Sequence, residues 1–368
     1  MSVQGEFPNY VDSVSKVEPV QPILDPPGSY LADHVEANGP NDARPTALKI
    51  IRDQKLEGKL EGLVFLITGC TGGLGIETAR AIHATGADVY ITGRNDELGS
   101  KVAAELGAAA VSPKPNGKVE YIHMELDNLE SVRAGAENFL KQSGGKCNVL
   151  ICNAGVMRTP EGITCDGFET QFGTNHLGHF QLFQKLKSAL LSSSTPQFNS
   201  RAITLSSQGH MWSTINFDNY DLKKSPKGYD PWIAYGQSKT ANIYMASEIE
   251  RRYAGQGLHA LAVHPGGIFT GLGKHAMDMI EQIFAHPEVA RYSKSVAQGA
   301  ATTVWAAVAR EWEGKGGRYL EDCREAPVWY QQEGAMQWGY APHAYDKESE
   351  QRLWKESLAM IGEQDDLK

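Results

Sequence analysis

A tyrosine and a lysine stand four residues apart near the start of a predicted helix, in the segment Tyr235-Gly-Gln-Ser-Lys239. Residues at this spacing share one face of a helix. A phenol can donate a proton to the alkoxide that develops when a carbonyl group accepts a hydride, but its ordinary pKa of about 10 makes it a poor base near neutral pH. A neighbouring ammonium stabilises the phenolate and lowers that pKa. The pair is therefore a candidate acid/base couple.

Polar groups that could serve the same reaction lie on two other predicted elements. Ser206 and Ser207 end a strand, where a hydroxyl can hydrogen-bond a substrate oxygen and orient it. Asn175 lies on a helix, where its amide can hold a water that passes protons to Lys239. Each residue also has an ordinary structural alternative, a hydroxyl that caps the backbone or a buried amide that satisfies a neighbour. Their order along the chain, followed by Tyr235 and Lys239, is what favours a site.

A glycine-rich turn joins the first predicted strand to a helix, in the segment Thr68-Gly-Cys-Thr-Gly-Gly-Leu-Gly75. Glycines let the backbone approach a pyrophosphate, and the helix N-terminus adds free N–H donors and the positive end of a dipole. A glycine cluster alone is weak evidence, but the strand before it and the helix after it favour a dinucleotide site. The residues predicted to bind the cofactor here are Thr68, Gly69, Thr71, Gly73, Leu74 and Gly75.

The end of the second predicted strand indicates which dinucleotide would bind. An NAD site usually places a carboxylate there to accept from the ribose 2′-OH, whereas this strand runs into Gly93-Arg94-Asn95. A guanidinium would hold a 2′-phosphate that a carboxylate would repel. We therefore predict NADP(H), with Arg94 and Asn95 on the 2′-phosphate; the alternative is that Arg94 is a solvated loop residue. Asp127, after the third strand, would meet the adenine edge, cap the following helix, or do both.

The elements that would position these residues alternate between strand and helix from Gly62 onward. The candidate strands are short apolar runs, typical of strands covered on both faces. They span residues 63–67, 88–92, 119–126, 148–152, 201–206 and 258–264. Helices are predicted over residues 75–85, 97–106, 129–142, 167–192, 234–253 and 295–309. This alternation predicts an α/β fold, a doubly wound parallel sheet whose strand C-termini form the ligand edge.

Three parts make up the predicted single domain. Residues 1–60 form a proline-punctuated N-terminal arm with a short helix at 46–53, either a poorly ordered tail or an arm that wraps the domain or a partner subunit. Residues 61–325 form the nucleotide-binding catalytic domain. Residues 326–368 form a C-terminal helical tail that would cover the sheet edge, close the pocket or make a homo-oligomer.

Composition excludes several classes of protein. Hydrophobic residues make up 41% of the 368 residues and charged residues 21%, which excludes wholesale disorder, a coiled coil and a collagen-like chain. A net charge of −9 argues against a nucleic-acid binder, and no apolar run reaches the length of about 20 residues that spans a membrane. The five cysteines form no CxxC pair, so neither a metal site nor a disulfide framework is predicted. Together with an N-terminus unlike a secretory signal, this favours a reducing, cytoplasmic location.

Taken in order, these motifs resemble the short-chain dehydrogenase/reductase family over about residues 60–325. Segment 171–180 is similar to retinol-dehydrogenase-like and WW-domain-oxidoreductase-like members, although the arm shows no WW domain. The resemblance implies a Rossmann fold and a Ser–Tyr–Lys–Asn tetrad. It assigns Tyr235 as acid/base, Lys239 as cofactor anchor and tyrosine activator, Ser207 rather than Ser206 as carbonyl orienter, and Asn175 as holder of the proton relay.

The same resemblance implies further contacts with the cofactor. Asn153 would brace the central sheet near the adenosine, in a motif whose usual preceding Asn is Cys152 here. The segment after the sixth strand would border the nicotinamide, with Ile268 near its carboxamide. The cofactor residues implied in these two segments are Asn153, Ala154, Gly155, Pro265, Gly266, Ile268 and Thr270.

Two apolar segments indicate the kind of substrate. In the resembling family, the region after Gly266 is a mobile lid over the substrate; the alternative here is a core-packing helix. Its apolar residues, at approximately helical spacing, are Met277, Met279, Ile280, Ile283 and Phe284. The other wall could come from an aromatic insertion that contains Trp212, Phe217, Tyr220, Tyr229 and Trp232. Both predict a fairly large apolar or aromatic carbonyl or alcohol substrate.

The function predicted from these residues is NADP(H)-dependent oxidoreduction. Hydride would pass between nicotinamide and a carbonyl or alcohol carbon, Tyr235 would exchange the proton, and the use of NADPH suggests reduction. Two alternatives stay open on the same fold: a nucleotide-binding redox sensor, and a non-redox enzyme that performs a cyclisation or dehydration with the cofactor as scaffold.

Overall fold

A computed structural model describes residues 20–26, 28–108, 116–329 and 337–366. The first 19 residues of the predicted arm lie outside the described residues, as do 330–336 and 367–368 of the predicted tail. Among the described residues, no helix is both long and apolar enough to cross a membrane.

A single eight-stranded sheet organises the chain, in the order β3-β2-β1-β4-β5-β6-β7-β8. Its first seven strands in sequence pair in parallel, and β8 pairs antiparallel to β7. The strands are β1 Val64–Ile67, β2 Asp88–Gly93, β3 Val119–His123, β4 Val149–Cys152, β5 Ser200–Leu205, β6 Leu258–Val263, β7 Arg318–Glu321 and β8 Arg324–Glu325. The predicted α/β class and doubly wound parallel sheet are confirmed.

Twelve helices are present among the described residues. They are α1 Ala47–Asp53, α2 Leu74–His83, α3 Asp96–Ala108, α4 Leu129–Gln142, α5 Thr170–Phe172, α6 Gly178–Ser193, α7 Pro231–Tyr253, α8 Met277–Ala285, α9 Pro287–Tyr292, α10 Val296–Gly299, α11 Ala301–Val308 and α12 Lys347–Met360. Helices α1, α2, α3 and α11 cover one face of the sheet, and α4, α6 and α7 cover the other. Strands β1, β4, β5 and β6 are buried along their whole length, because both faces are covered.

The strands β7 and β8 are absent from the sequence-based prediction. The sequence of β7, Arg-Tyr-Leu-Glu, carries a charge at each end and no apolar run, so its pairing with β6 depends on tertiary context. The turn to β8 passes through Asp322 and Cys323, both at positive φ (48° and 52°) without a glycine to mark it. The predicted helix from residue 167 starts instead at Thr170, because the Glu169 carboxylate caps it.

The described parts of the arm and of the tail pack onto this domain. In the arm, the backbone N–H of Ile23 donates to both carboxylate oxygens of Glu325 in β8, at 3.1 and 2.9 Å. In the tail, α12 packs on α7 and α6, where Trp354 meets Phe180 at a ring-centroid distance of 4.9 Å. Helix α12 therefore extends the helical layer of the domain rather than covering its edge strand.

Candidate functional site

The glycine turn lies at the C-terminal end of β1, in close contact with the loop that follows β4. Gly69 has a φ of 73°, and Gly75 passes so near that an added Cβ would lie 2.5 Å from the Gly69 carbonyl oxygen and 2.9 Å from Asn153 Nδ2. Gly73, at φ 59° and ψ −137°, adopts a conformation reserved for glycine and precedes α2 without a side-chain cap. The first N–H groups of α2 are therefore not satisfied by a capping side chain.

Thr68 and Asn153 act as braces between the two loops. Asn153 Nδ2 donates to the Thr68 carbonyl oxygen at 2.8 Å, and the backbone N–H of Ala154 donates to Thr68 Oγ1 at 3.0 Å. Thr68 Oγ1 also lies 2.8 Å from His179 Nε2. These bonds turn the Thr68 hydroxyl into the protein, and its predicted contact with the cofactor stays a prediction.

His179 is a site residue that sequence reasoning missed. Its Nδ1 lies 2.9 Å from the Asn175 carbonyl oxygen, and burial lowers its pKa to about 4. The neutral ring must donate from Nδ1 to that carbonyl, so Nε2 accepts from the Thr68 hydroxyl. Its position one helical turn after Asn175 was the available signal.

Arg94 is exposed at the C-terminal end of β2, next to the glycine turn. An added Cβ at Gly93 would lie 2.7 Å from Thr71 Cγ2, so Thr71 borders the same corner. Among the described residues, none makes a hydrogen bond or an ion pair with the Arg94 side chain. Asn95 Oδ1 accepts from the Leu98 N–H at 2.9 Å at the start of α3, and the predicted contact of Asn95 with a 2′-phosphate stays a prediction.

Asp127 is not the cap of α4, so that alternative is wrong. The cap is Asn128, whose Oδ1 accepts from the N–H groups of Glu130 and Ser131 at 3.0 and 3.2 Å. Sequence alone could not separate two adjacent capping residues, because both types cap helices well. Asp127 is half-buried, and its predicted contact with the adenine edge stays a prediction.

Tyr235 and Lys239 lie together in the second turn of α7 and beyond, both buried. Helix α7 begins at Pro231 because Asp230 caps it, accepting from the Trp232 N–H at 2.8 Å. Lys239 Nζ is 5.5 Å from the centre of the Tyr235 ring and donates to the Leu205 carbonyl at 3.1 Å. The pair therefore meets β5 at the ligand edge of the sheet.

Burial is the main influence on the pKa of both groups. It raises the pKa of Tyr235 to about 12, which a hydrogen bond with Ser207 offsets only in part. It lowers the pKa of Lys239 to about 8. The pKa of the phenol is therefore raised, not lowered as the spacing of Tyr235 and Lys239 predicted, because placing a phenolate in a buried site is costly.

The two adjacent serines have different partners. Ser206 is buried and its Oγ donates to the Lys239 carbonyl at 2.8 Å, which fastens β5 to α7. Ser207 Oγ accepts from the Gly209 N–H at 3.0 Å and hydrogen-bonds with Tyr235. Both serines follow the end of β5, and of the two only Ser207 contacts the tyrosine.

Asn175 lies in a π-helical turn, Gly173–Leu177, a distortion often found at functional sites. Its Nδ2 donates to the Val156 carbonyl and to Ser238 Oγ, each at 2.9 Å, and its Oδ1 accepts from the Val156 N–H at 2.8 Å. A predicted relay water would therefore have to use the remaining lone pair of Oδ1. An added Cβ at Gly155 would lie 3.1 Å from this Oδ1 and 3.4 Å from Lys239 Nζ, so Gly155 keeps the space between them open.

The segment after β6 runs beside the glycine turn. Thr270 lies 3.8 Å from the position that a Cβ on Gly73 would take, and Gly266 has a φ of 100°. Side-chain atoms of Ile268 and of Leu74 both lie within 2.8 Å of a Cβ built on Gly299, so these two residues pack together against the end of α10. The structure thus brings the segment of Pro265, Gly266, Ile268 and Thr270 to the same crevice as the turn.

An aromatic wall adjoins Tyr235. Trp212 and Trp232 have ring centroids 5.1 Å apart, Trp212 and Tyr235 have theirs 6.4 Å apart, and Met157 and Met279 pack against this cluster. Only two of the five aromatic residues of the predicted insertion lie here. The other three, Phe217, Tyr220 and Tyr229, contact α12, α5 and the residues around them.

Arg158, which sequence reasoning also missed, lies beside this wall. Its guanidinium is 5.5 Å from the centre of the Trp232 ring, and Nη1 donates to the His275 carbonyl at 3.3 Å. Of the apolar residues predicted on the neighbouring helix α8, Ile280 is buried and the rest are half-buried. Helix α8 therefore lies over the domain rather than inside its core.

Comparison with known proteins agrees with this geometry. A family model described as short chain dehydrogenase matches residues 63–281. The chain is 48% identical over 336 residues to the short-chain dehydrogenase/reductase prx1 of Penicillium roqueforti (91% of this chain, 95% of the relative) and 35% identical over 306 residues to mouse retinol dehydrogenase 12 (83% and 88%). A crystal structure of a putative uncharacterized protein from Mycobacterium paratuberculosis superposes with a TM-score of 0.61 at 30% identity, covering 87% of this chain and 98% of that one. The chain belongs to the short-chain dehydrogenase/reductase family, a family of oxidoreductases.

Proposed function

We propose that the protein is an NADP(H)-dependent oxidoreductase that transfers a hydride between nicotinamide and a carbonyl or alcohol carbon of a fairly large apolar substrate. The observation that carries this proposal is the buried Tyr235, hydrogen-bonded with Ser207 and beside Lys239, whose Nζ lies close to Gly155 in the loop that meets the glycine turn. A buried phenol, hydroxyl and ammonium that converge at the ligand edge of a doubly wound sheet form an acid/base site.

The residues around the crevice fit a dinucleotide. The turn from Gly69 to Gly75 has little side-chain bulk, and the first turn of α2 has no side-chain cap, so its N–H groups can meet a pyrophosphate. Asp127 would meet the adenosine, and Lys239 has N–H donors beyond its bond to Leu205 for the ribose hydroxyls. When bound, the nicotinamide supplies or accepts the hydride.

The protonation of Tyr235 favours reduction. Its pKa of about 12 keeps the phenol protonated at neutral pH, so Tyr235 can donate its proton to the substrate oxygen as charge develops there. Ser207 Oγ, which accepts from the Gly209 N–H, can donate its own hydrogen to the same oxygen. Lys239 would then return a proton to the phenolate.

The wall next to Tyr235 supports an apolar substrate. Two tryptophans and two methionines form it, and such surfaces bind large, irregular lipophilic groups. The name of one relative, retinol dehydrogenase 12, refers to a lipophilic alcohol. The cluster adjoins the tyrosine directly, so such a group would lie next to the reacting oxygen.

Substrate screening tests the proposed reaction. With NADPH, we expect lipophilic ketones, quinones and retinal to be reduced to alcohols or hydroquinones, with one NADPH consumed per product as followed at the reduced-nicotinamide absorbance band. Preference for a small charged carbonyl such as pyruvate would contradict the proposed substrate class. Product formed without NADPH consumption would contradict redox chemistry and support the non-redox alternative.

The proposed NADP(H) preference depends on Arg94. The variant Arg94→Ser is expected to raise the Kd of NADPH by about 10- to 100-fold, because a charge-assisted hydrogen bond contributes about 1.5–3 kcal/mol. The Kd of NADH, which has no 2′-phosphate, should change less than about threefold on the same grounds. The matched control is Arg52→Ser, an exposed arginine on α1, and both constants come from nicotinamide fluorescence titrations. An equal rise in the Kd of NADPH and of NADH would show that Arg94 does not bind the 2′-phosphate.

A further inference from the structure

The segment between β6 and α10, residues 269–293, forms a loop closed at its base. We call it the lid; it contains α8 and α9. At the base, Ile268 and Lys294 form a parallel bridge, and the Lys294 N–H donates to the Gly267 carbonyl at 2.8 Å. Lys294 Nζ also bonds Asp322 at 2.6 Å. The outgoing end of the lid therefore lies directly against the segment proposed to border the nicotinamide.

A buried arginine of the N-terminal arm holds that outgoing end. Arg44 is only 4% exposed. Its Nη1 donates to the Tyr292 carbonyl at 2.7 Å, and its Nη2 donates to the Ser293 carbonyl at 2.6 Å. Its Nε donates to both carboxylate oxygens of Asp42 at 2.9 Å, and Nη2 also reaches the Gly39 carbonyl at 3.1 Å. One guanidinium thus joins the arm to the last two residues of the lid.

The neighbouring arm residues add further bonds to α9. The Gly39 N–H donates to the Arg291 carbonyl at 2.7 Å, and Arg291 Nε donates to the Ala37 carbonyl at 2.9 Å. The carbonyls of three successive residues, Arg291, Tyr292 and Ser293, therefore all accept hydrogen bonds from the arm. The last carbonyls of a helix have no partner within it, so the arm residues 37–44, called the clamp below, supply the partners that the end of α9 lacks.

The clamp is itself anchored beyond the lid. The side chain of Gln298 in α10 is buried; its Nε2 donates to Asp42 Oδ1 at 2.9 Å and to the Arg44 carbonyl at 3.3 Å. Its Oε1 accepts from the Asn41 N–H at 2.9 Å. Burial alone would raise the pKa of Asp42, but the hydrogen bonds from Arg44 and from backbone N–H groups lower it to about 2. The carboxylate therefore stays charged against Arg44 under ordinary conditions.

We propose that the N-terminal arm positions the substrate lid, with Arg44 as the positioning residue. This inference rests on the proposed function, since it takes the lid to cover a substrate. The lid is held near its N-terminal end by the Arg158 bond to His275, and its C-terminal end, called the far end, is held by the clamp. Between them, Met279 of α8 reaches the aromatic wall beside Tyr235. Loss of the clamp leaves the far end held by the bridge at Lys294 and by the contact of the Tyr292 ring with Trp338, so α8 spends less time against the wall.

The variant Arg44→Met tests the clamp. We expect the KM of a lipophilic carbonyl substrate to rise about 10-fold or more, with kcat and the Kd of NADPH changed less than about threefold. The reason is that the lid contacts the substrate equally in the ground state and in the transition state, so its loss weakens binding without slowing the chemical step. The conservative variant Arg44→Lys should recover part of the affinity. A matched control is Arg201→Met, since Arg201 is also buried and donates to the carbonyls of Ala306 and Ala309, but at the N-terminal end of β5, away from the ligand edge. Its KM should equal that of the wild type even where its Tm falls.

Hydrogen exchange of the free protein gives a readout that does not need turnover. Residues 269–293 should exchange at least about fivefold faster in Arg44→Met than in the wild type, with α11 unchanged. Should Arg44→Met not fold, Asp42→Asn, which weakens the same contact, takes its place in both assays. A substrate KM within twofold of that of Arg201→Met, with lid exchange unchanged, overturns the clamp and leaves the oxidoreductase proposal intact. If the wild type turns over none of the carbonyls, the oxidoreductase proposal is overturned. The hydrogen exchange of residues 269–293 then tests the clamp by itself.

Discussion

Replacement of Tyr235 by phenylalanine is expected to lower kcat by about 10²- to 10⁴-fold, the usual contribution of a positioned general acid. The change removes one oxygen atom, the proton donor, and leaves the ring in its contact with Trp212. Binding of NADPH should change less than about threefold, because the proposed cofactor contacts of Lys239 and of the glycine turn are untouched. The measurements are steady-state reduction of a lipophilic ketone and NADPH titration by fluorescence.

The same helix provides a matched control. Tyr244 is also buried in α7, and its hydroxyl donates to the His343 carbonyl at 2.7 Å. Tyr244→Phe therefore removes a buried hydroxyl at a structural position and should cost about 1–3 kcal/mol of stability with little effect on kcat. Equal kinetic losses in the two variants would show that the hydroxyl of Tyr235 stabilises the helix and does not donate the proton. Full activity of Tyr235→Phe would contradict the proposed mechanism outright.

Replacement of Lys239 by methionine is expected to lower kcat/KM by about 100-fold or more. The ammonium is proposed both to bond the ribose and to resupply the proton of Tyr235, and loss of a charge-assisted bond with loss of a proton carrier affects binding and turnover together. The Kd of NADPH should therefore rise as well, unlike in Tyr235→Phe. Stability should not fall, because burial of this lysine is itself unfavourable, as its pKa of about 8 shows. A raised Tm together with reduced activity in Lys239→Met would show that Lys239 serves the reaction and does not stabilise the fold.

The lowered pKa of Lys239 also predicts opposite pH trends for cofactor binding and for stability. Between about pH 8 and the ordinary value of 10.5, the unfolded chain holds a proton on Lys239 that the folded chain has released. This group alone therefore makes the protein more stable as pH rises through that window. Binding of NADPH should weaken over the same window, since the ammonium is lost. Lys239→Met should lose the contribution of this group to both trends, so the difference between wild type and variant should show both trends across this window. A variant with the same pH dependence as the wild type would contradict the assignment.

Local chemistry explains what could be predicted from the sequence. The strand–glycine turn–helix unit follows from apolar runs and from glycine, whose properties act over a few residues. The placement of Tyr235 and Lys239 on one face of α7 follows from helical spacing alone. The alternation of strands and helices then determines the sheet class, because parallel strands need crossover helices. These features gave the α/β fold and the set of residues that could meet at the ligand edge.

Tertiary contacts decided what the sequence left open. The assignment of Ser207 to the tyrosine and Ser206 to the helix backbone depends on how β5 meets α7. The net rise of the Tyr235 pKa depends on burial, which no spacing reveals. Which aromatic residues of the insertion form the wall was also decided by packing, which places the two tryptophans beside Tyr235 and the other three residues elsewhere.

The largest difference between sequence and structure concerns the arm. Its prolines and lack of periodicity predicted an extended segment without indicating where it lies. Its described part is held by Arg44, which bonds backbone carbonyls about 250 positions later in the chain. Backbone carbonyls are identical in every residue, so a contact of this kind leaves no pattern in the sequence, and it emerges only when the folded chain brings the two segments together.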